Sequence, residues 1–269
     1  MSLKIINNWH VPGFFQSGGA QVDPAYYVAA GSLKARSFEL ELLSNNLANA
    51  ATAGYKPERS FFSVFNKAKS EGRGLSLSPY VDDGTVLAQS TIDFSQGPLK
   101  ATGRSLDLAI QGNAFFMVQT AQGPRATRDG RFQMGKDGQL QALDGAALLG
   151  KNGRPITVDP SGGKITVLAD GTVQQGDTPA GQLDLRAFAT PAALQRTGAS
   201  RYDPSGSKEA PVGNSAVNQG SLEESGVDLP TCMIDMIKLN RLFEMSMKVA
   251  STVTNDMDEK SITDISSGH

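Results

Sequence analysis

The side chains that most often carry catalysis or bind metals are scarce in this sequence. It has two histidines, His10 in an irregular leading segment and His269 at the last position. Neither lies where a rigid scaffold would present it, so Ser–His, Cys–His and histidine-ligated metal sites are disfavoured. The one cysteine, Cys232, falls in an amphipathic stretch, where a small packed thiol is more typical than a reactive one. A lone cysteine also excludes a disulfide within the chain.

Carboxylates are the remaining candidates for chemistry. Asp82 and Asp83 precede a glycine, which is typical of a turn. Asp256, Asp258 and Glu259 fall in the last turns of a predicted helix, where they point in different directions. The sequence has no G-x-x-x-x-G-K-[ST] phosphate loop and no G-x-G-x-x-G after a strand. We therefore predict no catalytic, cofactor-binding or metal site and no cofactor, while a hydrolase that uses carboxylates alone stays open.

The charge balance and the short apolar runs of the sequence limit the kinds of partner that we expect. The 269 residues include 25 Lys and Arg against 27 Asp and Glu, a net charge of −2, so we expect no nucleic-acid binding. No apolar run reaches about 18 residues, and we therefore expect no membrane insertion. The first residues, MSLKIINNWHVPGFF, lack the unbroken apolar stretch of a signal peptide. If the protein leaves the cytoplasm, we expect export without a cleaved signal.

Two long stretches, one near each end, have the periodicity of amphipathic helices. The first begins at Asp23-Pro24, a typical helix start, and continues to about residue 46. Its predicted stripe, in steps of four and three, contains Tyr26, Ala30, Leu33, Ser37, Leu40, Ser44 and Leu47, and is broadened by Phe38, Leu42 and Leu43. The second stretch follows Pro230 and continues to about residue 260, with a stripe of Met236, Leu239, Phe243, Ser246, Ala250, Val253 and Met257. Because isolated amphipathic helices are marginal in water, we expect the two stripes to pack together as a coiled-coil-like pair.

The middle of the chain is rich in glycine and turn dipeptides. Residues 115–118, FFMV, indicate a buried strand, and residues 164–173 indicate a hairpin with Asp170-Gly171 as a two-residue turn. Turns that recur about every eight residues favour short antiparallel strands over βαβ units. The prediction is an α+β fold. It has an irregular leading segment (1–22), one discontinuous helical assembly domain (23–71 plus 213–269) and an inserted all-β domain (72–212).

The end of the first helix carries a dense motif, LSNNLANAATAGYK, at residues 43–56. It resembles the N-terminal signature of the flagellar basal-body rod and hook proteins, N-N-[apolar]-A-N-x-x-T-x-G-[aromatic]-[basic], in every element. Asn and Thr compete for backbone hydrogen bonds and Gly54 permits unusual dihedrals, so the motif also fits a helix that ends in a turn.

Two further segments match the same family in the same order. Residues 102–116, TGRSLDLAIQGNAFF, resemble its entry to the β domain, and residues 127–132, TRDGRF, continue it. Residues 219–228, QGSLEESGVD, resemble its C-terminal motif, Q-G-x-L-E-x-S-N-V-[DN]. Gly226 replaces the usual Asn, and since both tolerate left-handed backbone we expect little structural cost. The resemblance gives the candidate assembly positions: Asn45, Asn46, Ala48, Asn49, Thr52, Gly54, Tyr55, Leu222, Glu223, Ser225, Val227, Met236, Ile237, Arg241, Phe243 and Glu244.

This resemblance implies a non-enzymatic structural subunit of the bacterial flagellar basal body. Its implied partners are copies of itself, other axial rod and hook proteins, and the flagellar export apparatus. The implied location is the periplasmic rod, where subunits polymerise into a helical tube that transmits torque. Length and local sequence resemble the proximal-rod members most, with a distal-rod or hook-type subunit as the alternative. From a different class, an exported adhesin-like β domain would need an aromatic platform made of Phe115, Phe116, Phe132 and Phe188.

Overall fold

The computed structural model describes residues 24–65 and 85–266, and it contains one long helix near each end of that range. Helix α1 spans Pro24–Ala48 and helix α2 spans Leu229–Ser266. Each has a proline in its first turn, where the missing N–H breaks no helical hydrogen bond. Both predicted helices are confirmed. The predicted leading segment, 1–22, lies outside the described residues.

Helix α2 has one face that is less exposed than the others. Its predicted stripe positions Met236, Phe243 and Ser246 are half-buried and Leu239 is buried. Cys232, four residues before Met236, is also buried and continues this face. The side chains of the later stripe positions, from residue 250 on, lie outside the described part of α2. The spacing of apolar residues in the sequence therefore predicted the shielded face of α2.

The burial of α1 follows its predicted stripe only in part. Leu42 is buried and Leu33, Leu40 and Leu47 are half-buried. Ser37 and Ser44 of the stripe are exposed, whereas Ala35, which lies outside it, is buried. The apolar residues of α1 are spread around much of its circumference, so steps of four and three fit more than one face. Tertiary packing, and not the spacing of apolar residues alone, determines which face of α1 is shielded.

Eighteen short strands and their connections make up the rest of the described chain. Their bounds are β1 Glu58–Phe65, β2 Thr85–Ile92, β3 Leu99–Ala101, β4 Leu108–Gln111, β5 Phe115–Thr120, β6 Gly123–Thr127, β7 Phe132–Met134, β8 Leu140–Ala142, β9 Ala147–Leu148, β10 Ile165–Val167, β11 Thr172–Gln175, β12 Thr178–Gln182, β13 Leu185–Phe188, β14 Gln195–Arg196, β15 Arg201–Asp203, β16 Glu209–Ala210, β17 Ala216–Gln219 and β18 Ser221–Glu223. Together with the helices they confirm an α+β fold with a β-rich middle.

The strands form one large sheet and several small ones. The large sheet has the order β14-β15-β6-β5-β9-β8-β7, with β13 on β5 and β16 on β13. Strands β10, β11 and β12 form a three-stranded sheet, and β1-β2, β17-β4 and β18-β3 are two-stranded. The pairings from β3 onward are antiparallel, for example β5 with β6, where Phe116 faces Thr127. The turn spacing of the sequence predicted antiparallel pairing of this kind.

The predicted hairpin of residues 164–173 forms, but with a longer turn. Val167 pairs with Val173, and the Leu168 N–H donates to the Thr172 carbonyl at 2.9 Å. Ala169, Asp170 and Gly171 lie between those two residues, so the turn has three residues and not two. Gly171, with φ of 83°, supplies the left-handed residue that such turns require.

Strand β5 is the core strand of the β-rich part. Phe116 and Val118 belong to one hydrophobic cluster, while Phe115 and Met117 belong to a second. Since alternate side chains of a strand point to opposite faces, β5 is covered on both sides, and the predicted buried strand is confirmed. The phenylalanines weighed as a ligand platform are core residues: Phe115, Phe116, Phe132 and Phe188 are all buried.

The described chain divides into two compact units. The β unit contains residues 46–57 and 92–229, and the helix unit contains residues 24–45, 58–65, 85–91 and 230–266. Within the helix unit, the Cys232 thiol donates to the Leu43 carbonyl oxygen at 3.6 Å. The sequence-based domains, 23–71 plus 213–269 around 72–212, stay a prediction. The units differ from them because residues 46–57 and 213–229 lie with the strands.

Candidate functional site

A buried ion cluster joins the three motif segments inside the β unit. Lys56 ends the first motif, Arg128 follows β6, and Glu223 ends β18. The Lys56 Nζ lies 2.5 Å from Glu223 Oε1, and the Arg128 Nη1 lies 3.1 Å from Glu223 Oε2. The three side chains are at most 2 % exposed. Three residues that are far apart in sequence therefore share one enclosed carboxylate.

Backbone groups complete the cluster, which we call the ion cluster (Lys56, Arg128 and Glu223). The Lys56 ammonium also donates to the Ser95 carbonyl at 2.6 Å, and Arg128 Nη2 donates to the Gly112 carbonyl at 2.6 Å. The Gly97 N–H donates to Glu223 Oε1 at 2.8 Å. Charge-assisted hydrogen bonds of this kind are among the stronger ones in proteins.

Burial of these charges shifts the pKa values of the two cations. Burial lowers the pKa of the Lys56 ammonium below its usual value, while the Glu223 carboxylate acts in the opposite direction. Burial likewise lowers the pKa of the Arg128 guanidinium against the pull of Glu223. Removing such charges from water is costly, and the cluster is sustained because every charged group has a close partner. Loss of Glu223 would leave both cations without a buried anion.

The first motif folds into a hydrogen-bonded turn after α1. The Tyr55 hydroxyl donates to Asn46 Oδ1 at 3.0 Å, and the Thr52 hydroxyl donates to Asn49 Oδ1 at 3.3 Å. The Asn49 N–H donates to the Asn46 carbonyl at 3.1 Å. Asn46 and Tyr55 are both buried. The asparagines, threonine and tyrosine of the motif therefore hold one another, as expected for side chains that bond locally at a helix end.

Gly54 lets this turn approach the second motif closely. Its φ is 64°, and a Cβ at this position would lie 2.3 Å from the Arg128 carbonyl carbon. Its N–H donates to the Glu223 carbonyl at 2.8 Å. A glycine is required here both by the left-handed backbone and by the lack of space. This position brings all three motifs into backbone contact.

Arg196 covers the other side of the first motif. Its guanidinium lies 4.6 Å from the ring centroid of Tyr55 and 5.6 Å from that of Tyr202. The Arg196 Nη2 donates to the Lys56 carbonyl. This arrangement combines a cation–π contact with a hydrogen bond to the backbone of the motif. Arg196 thereby ties β14 to the segment that carries Lys56.

The C-terminal motif runs beside the first one. The Gly226 N–H donates to the Tyr55 carbonyl at 2.9 Å, and Ser225 Oγ accepts from the Val227 N–H at 3.3 Å. Ser225 is buried and Leu222 and Val227 are half-buried. The reason expected for Gly226 was wrong, because its backbone is not among the positive-φ glycines. The constraint at Gly226 is steric, since a Cβ at this position would lie 2.9 Å from Pro57 Cδ.

The structure brings together only part of the predicted assembly set. In the β unit, Asn46, Asn49, Thr52, Gly54, Tyr55 and Glu223 are linked by the contacts above, and Ser225 accepts from the Val227 N–H. Ala48 is exposed in the β unit, and Asn45 is exposed in the helix unit. Five positions lie on α2 in the helix unit: Met236, Ile237, Arg241, Phe243 and Glu244. Of these, Met236 and Phe243 belong to the shielded face, and the other three are exposed. Their role in assembly stays a prediction.

Sequence reasoning missed three residues of this site. Lys56 and Arg128 stand inside quoted motifs but were not among the candidate positions. A signal for them existed, because a Lys, an Arg and a Glu in three ordered motifs are complementary in charge. Arg196 lies outside the motifs, and nothing in its sequence context distinguishes it from an ordinary surface arginine.

The residues considered for catalysis lie outside the part of the chain, or of its side chains, that the structure describes. His10, Asp82, Asp83 and His269 lie outside the described residues, as do the side chains of Asp256, Asp258 and Glu259 in the last turns of α2. Within residues 24–65 and 85–266, no group of three or more His, Cys, Asp or Glu residues is placed to hold a metal ion. Over the same ranges, no helix is long and apolar enough to cross a membrane.

Three sequence models of protein families match this chain. Residues 27–56 match "Flagella basal body rod protein", and residues 218–264 match "Flagellar basal body rod FlgEFG protein C-terminal". Residues 109–175 match "Flagellar hook protein FlgE/F/G D1 domain". The first match ends at Lys56, and the second contains Glu223. Arg128 lies in the third, so the ion cluster takes one residue from each of the three matched regions.

Individual relatives match over most of the chain. The flagellar basal-body rod protein FlgF of Caulobacter vibrioides is 34 % identical over 230 residues, which cover 85 % of this chain and 92 % of that protein. FlgF of Escherichia coli K12 is 34 % identical over 251 residues, with coverage of 87 % and 96 %. The rod protein FlgG of Buchnera aphidicola from Acyrthosiphon pisum is 30 % identical over 251 residues, with coverage of 85 % and 95 %.

Proposed function

This chain belongs to the flagellar basal-body rod protein family, and from that membership we propose how its two helices and its ion cluster serve the rod. The protein is a structural subunit of the bacterial flagellar basal-body rod, and it assembles with other axial flagellar proteins.

Helix α2 is the main assembly element in this proposal. The observation that carries it is a set of apolar side chains on α2, each between 42 % and 59 % exposed. We call this set the α2 apolar surface: Met233, Ile234, Ile237, Leu242, Met245, Met247 and Val249. With 38 residues, α2 is about 57 Å long at ~1.5 Å per residue. Apolar surface of this extent is stabilised by burial against other chains, at roughly 25 cal/mol per Å².

The two sides of α2 have different tasks. The shielded face, with Met236, Leu239 and Phe243, packs in a coiled-coil-like manner within the helical assembly domain. The α2 apolar surface contacts helices of neighbouring copies and of other axial proteins. Repeated head-to-tail contacts that do not close into a ring give a helical tube, and such a tube transmits torque.

The ion cluster supports this role from the β unit. It ties the segment after α1 to the segment before α2 through Lys56 and Glu223, and Arg128 fixes both to the strands. The predicted positions around it, which include Asn46, Tyr55 and Ser225, act by shaping the subunit and not by binding a ligand. A rigid subunit is what a rod under load requires.

The remaining features follow from membership in the rod family. We propose that the protein is not an enzyme, that it reaches the periplasmic rod through the flagellar export apparatus, and that it does so without a cleaved signal. FlgF and FlgG relatives match with similar identity, so a proximal position remains our proposal and a distal or hook-type position its alternative. The adhesin alternative is not favoured, because its aromatic residues are core residues.

Deletion and complementation in the native bacterium test the proposal. A deletion strain should lack complete rods in isolated basal bodies and should not swim, and the wild-type gene should restore both. Ile237→Asp should fail to restore rods although the purified variant unfolds in urea like the wild type. Ile237→Leu, which keeps an apolar side chain at the same position, should restore them. Intact rods in the deletion strain, or normal incorporation of Ile237→Asp, would refute the proposal.

A further inference from the structure

The methionines of this chain are concentrated on the helix with the exposed apolar surface. Five of the eight, at positions 233, 236, 245, 247 and 257, belong to α2. Met233, Met245 and Met247 are 50 %, 54 % and 50 % exposed, whereas Met117 in β5 is 0 % exposed. The chain therefore carries both accessible and enclosed thioethers, which differ in their access to a dissolved reagent.

Exposed thioethers react with peroxides without first losing a proton. The sulfur attacks one peroxide oxygen, the O–O bond breaks, and the sulfur is oxidised by two electrons to the sulfoxide. Hydrogen peroxide is reduced at the same time and leaves as water. The product is a polar and chiral side chain in place of a flexible apolar one, and reductases specific for methionine sulfoxide reverse the change.

The single cysteine does not compete for this chemistry. Its thiol is buried and donates to the Leu43 carbonyl at 3.6 Å. Burial raises the pKa of the Cys232 thiol, and the carboxylate of Asp235 raises it further. Because the thiolate is the form that reacts with peroxide, little of Cys232 is reactive near neutral pH. Among the described methionines, Met233, Met245 and Met247 are the most exposed, ahead of Met134 in β7 at 38 %.

We propose that Met233, Met245 and Met247 are an oxidation site of α2, at which a peroxide switches the helix from assembly-competent to assembly-incompetent. The inference rests on the proposed function of the α2 apolar surface. Met233 and Met247 are 14 positions apart, which places them within about 40° of each other on the helix and about 21 Å apart along it. Met245 lies about 120° around from Met233, on the side of Ile234 and Val249. Sulfoxides at these three positions place polar oxygen on both sides of the α2 apolar surface.

The chemical part is tested on the purified full chain. Brief exposure to hydrogen peroxide, followed by proteolysis and peptide mass spectrometry, gives the oxidation rate at each methionine. Met233, Met245 and Met247 should react at least about ten-fold faster than Met117, because reactivity follows exposure. Rates at the three positions that are equal to or below that of Met117 would overturn the proposal.

The functional part compares two genes in a strain that lacks the chromosomal copy and the methionine sulfoxide reductases. One encodes the wild type and the other the variant M233L/M245L/M247L, which keeps apolar side chains of similar volume. Under sublethal peroxide, the number of basal bodies with complete rods should fall at least about two-fold more for the wild type than for the variant. The single replacement Met245→Leu, at the most exposed of the three, should give a smaller difference in the same direction and serves if the triple variant fails to assemble.

Equal losses in both strains would overturn the oxidation site. They would leave the proposed function intact as long as Ile237→Asp still fails to incorporate. Normal incorporation of Ile237→Asp would refute the proposed function itself, so the two failures are distinguishable.

Discussion

Replacing Glu223 by Gln removes the carboxylate that both Lys56 and Arg128 contact. The Gln amide oxygen can still accept from the Gly97 N–H, but its NH₂ group cannot accept from Arg128. The carbonyls of Ser95 and Gly112 remain as neutral acceptors. Two enclosed cations are then left without an anion, which is the situation in which a broken buried ion pair is most destabilising.

The size of the effect follows from the contacts that are lost. Hydrogen bonds to charged groups contribute about 1.5–3 kcal/mol each, and the carboxylate makes one with Lys56 and one with Arg128. Breaking a buried ion pair by removing one partner costs about 3–5 kcal/mol. Two such hydrogen bonds sum to about 3–6 kcal/mol, and this range overlaps the second at about 3–5 kcal/mol, which is the expected loss in the free energy of unfolding. With a urea m-value of about 2 kcal/mol/M, the unfolding midpoint should fall by about 1.5–2.5 M.

The stability that Glu223→Gln loses relative to the wild type should become smaller as the pH rises. In the wild type, burial lowers the pKa of Lys56 and Glu223 opposes that shift, so in Glu223→Gln the pKa falls further. Between this lower folded pKa and the unfolded value of 10.5, the unfolded chain binds more protons than the folded one. Stability of the variant therefore rises with pH in that window. The double variant Lys56→Met/Glu223→Gln should lack this rise.

Urea titrations followed by near-ultraviolet circular dichroism measure both effects, because Tyr202 and Phe115 are buried in the β unit. The matched control is Glu224→Gln. Its carboxylate is the next in sequence but is 47 % exposed, and it lies 3.4 Å from an exposed Lys100. Exposed pairs contribute about 0–1 kcal/mol, so the control should shift the midpoint little. A Glu223→Gln shift no larger than that of Glu224→Gln would refute the role of the ion cluster.

Three further outcomes are expected. Gly54→Ala should cost several-fold more stability in urea unfolding than Gly176→Ala, because both glycines have φ near 60° but only Gly54 has backbone within 4 Å of the new Cβ; equal costs would argue against the close approach. Arg196→Ala should lower the free energy of unfolding by about 1–3 kcal/mol, through loss of the cation–π contact with Tyr55 and of a backbone hydrogen bond; a neutral result in the same assay would show that the stacking is not stabilising. Cys232 should react with a thiol reagent more slowly in the folded chain than in urea near pH 8, because burial and then a nearby carboxylate raise its pKa and reduce the thiolate fraction; equal rates would contradict the burial.

Sequence alone determined the elements whose causes are local. The two helices were predictable because each is a long stretch with little Gly or Pro, and β5 because FFMV is a short apolar run between turns. The three ordered motifs were sufficient for the family, because each combines specific residues at fixed spacing. The helical period also located the shielded face of α2.

Tertiary structure decided what depends on partners distant in the chain. Lys56 and Glu223 are 167 residues apart, and no local pattern states that a lysine after a helix meets a glutamate at the end of β18. The same holds for α1, where Ala35 is buried although it lies outside the predicted stripe, and Ser37 and Ser44 of the stripe are exposed. Side chains buried by distant strands obtain their environment from the whole fold, so their charge pairing and burial emerge only once the fold has formed.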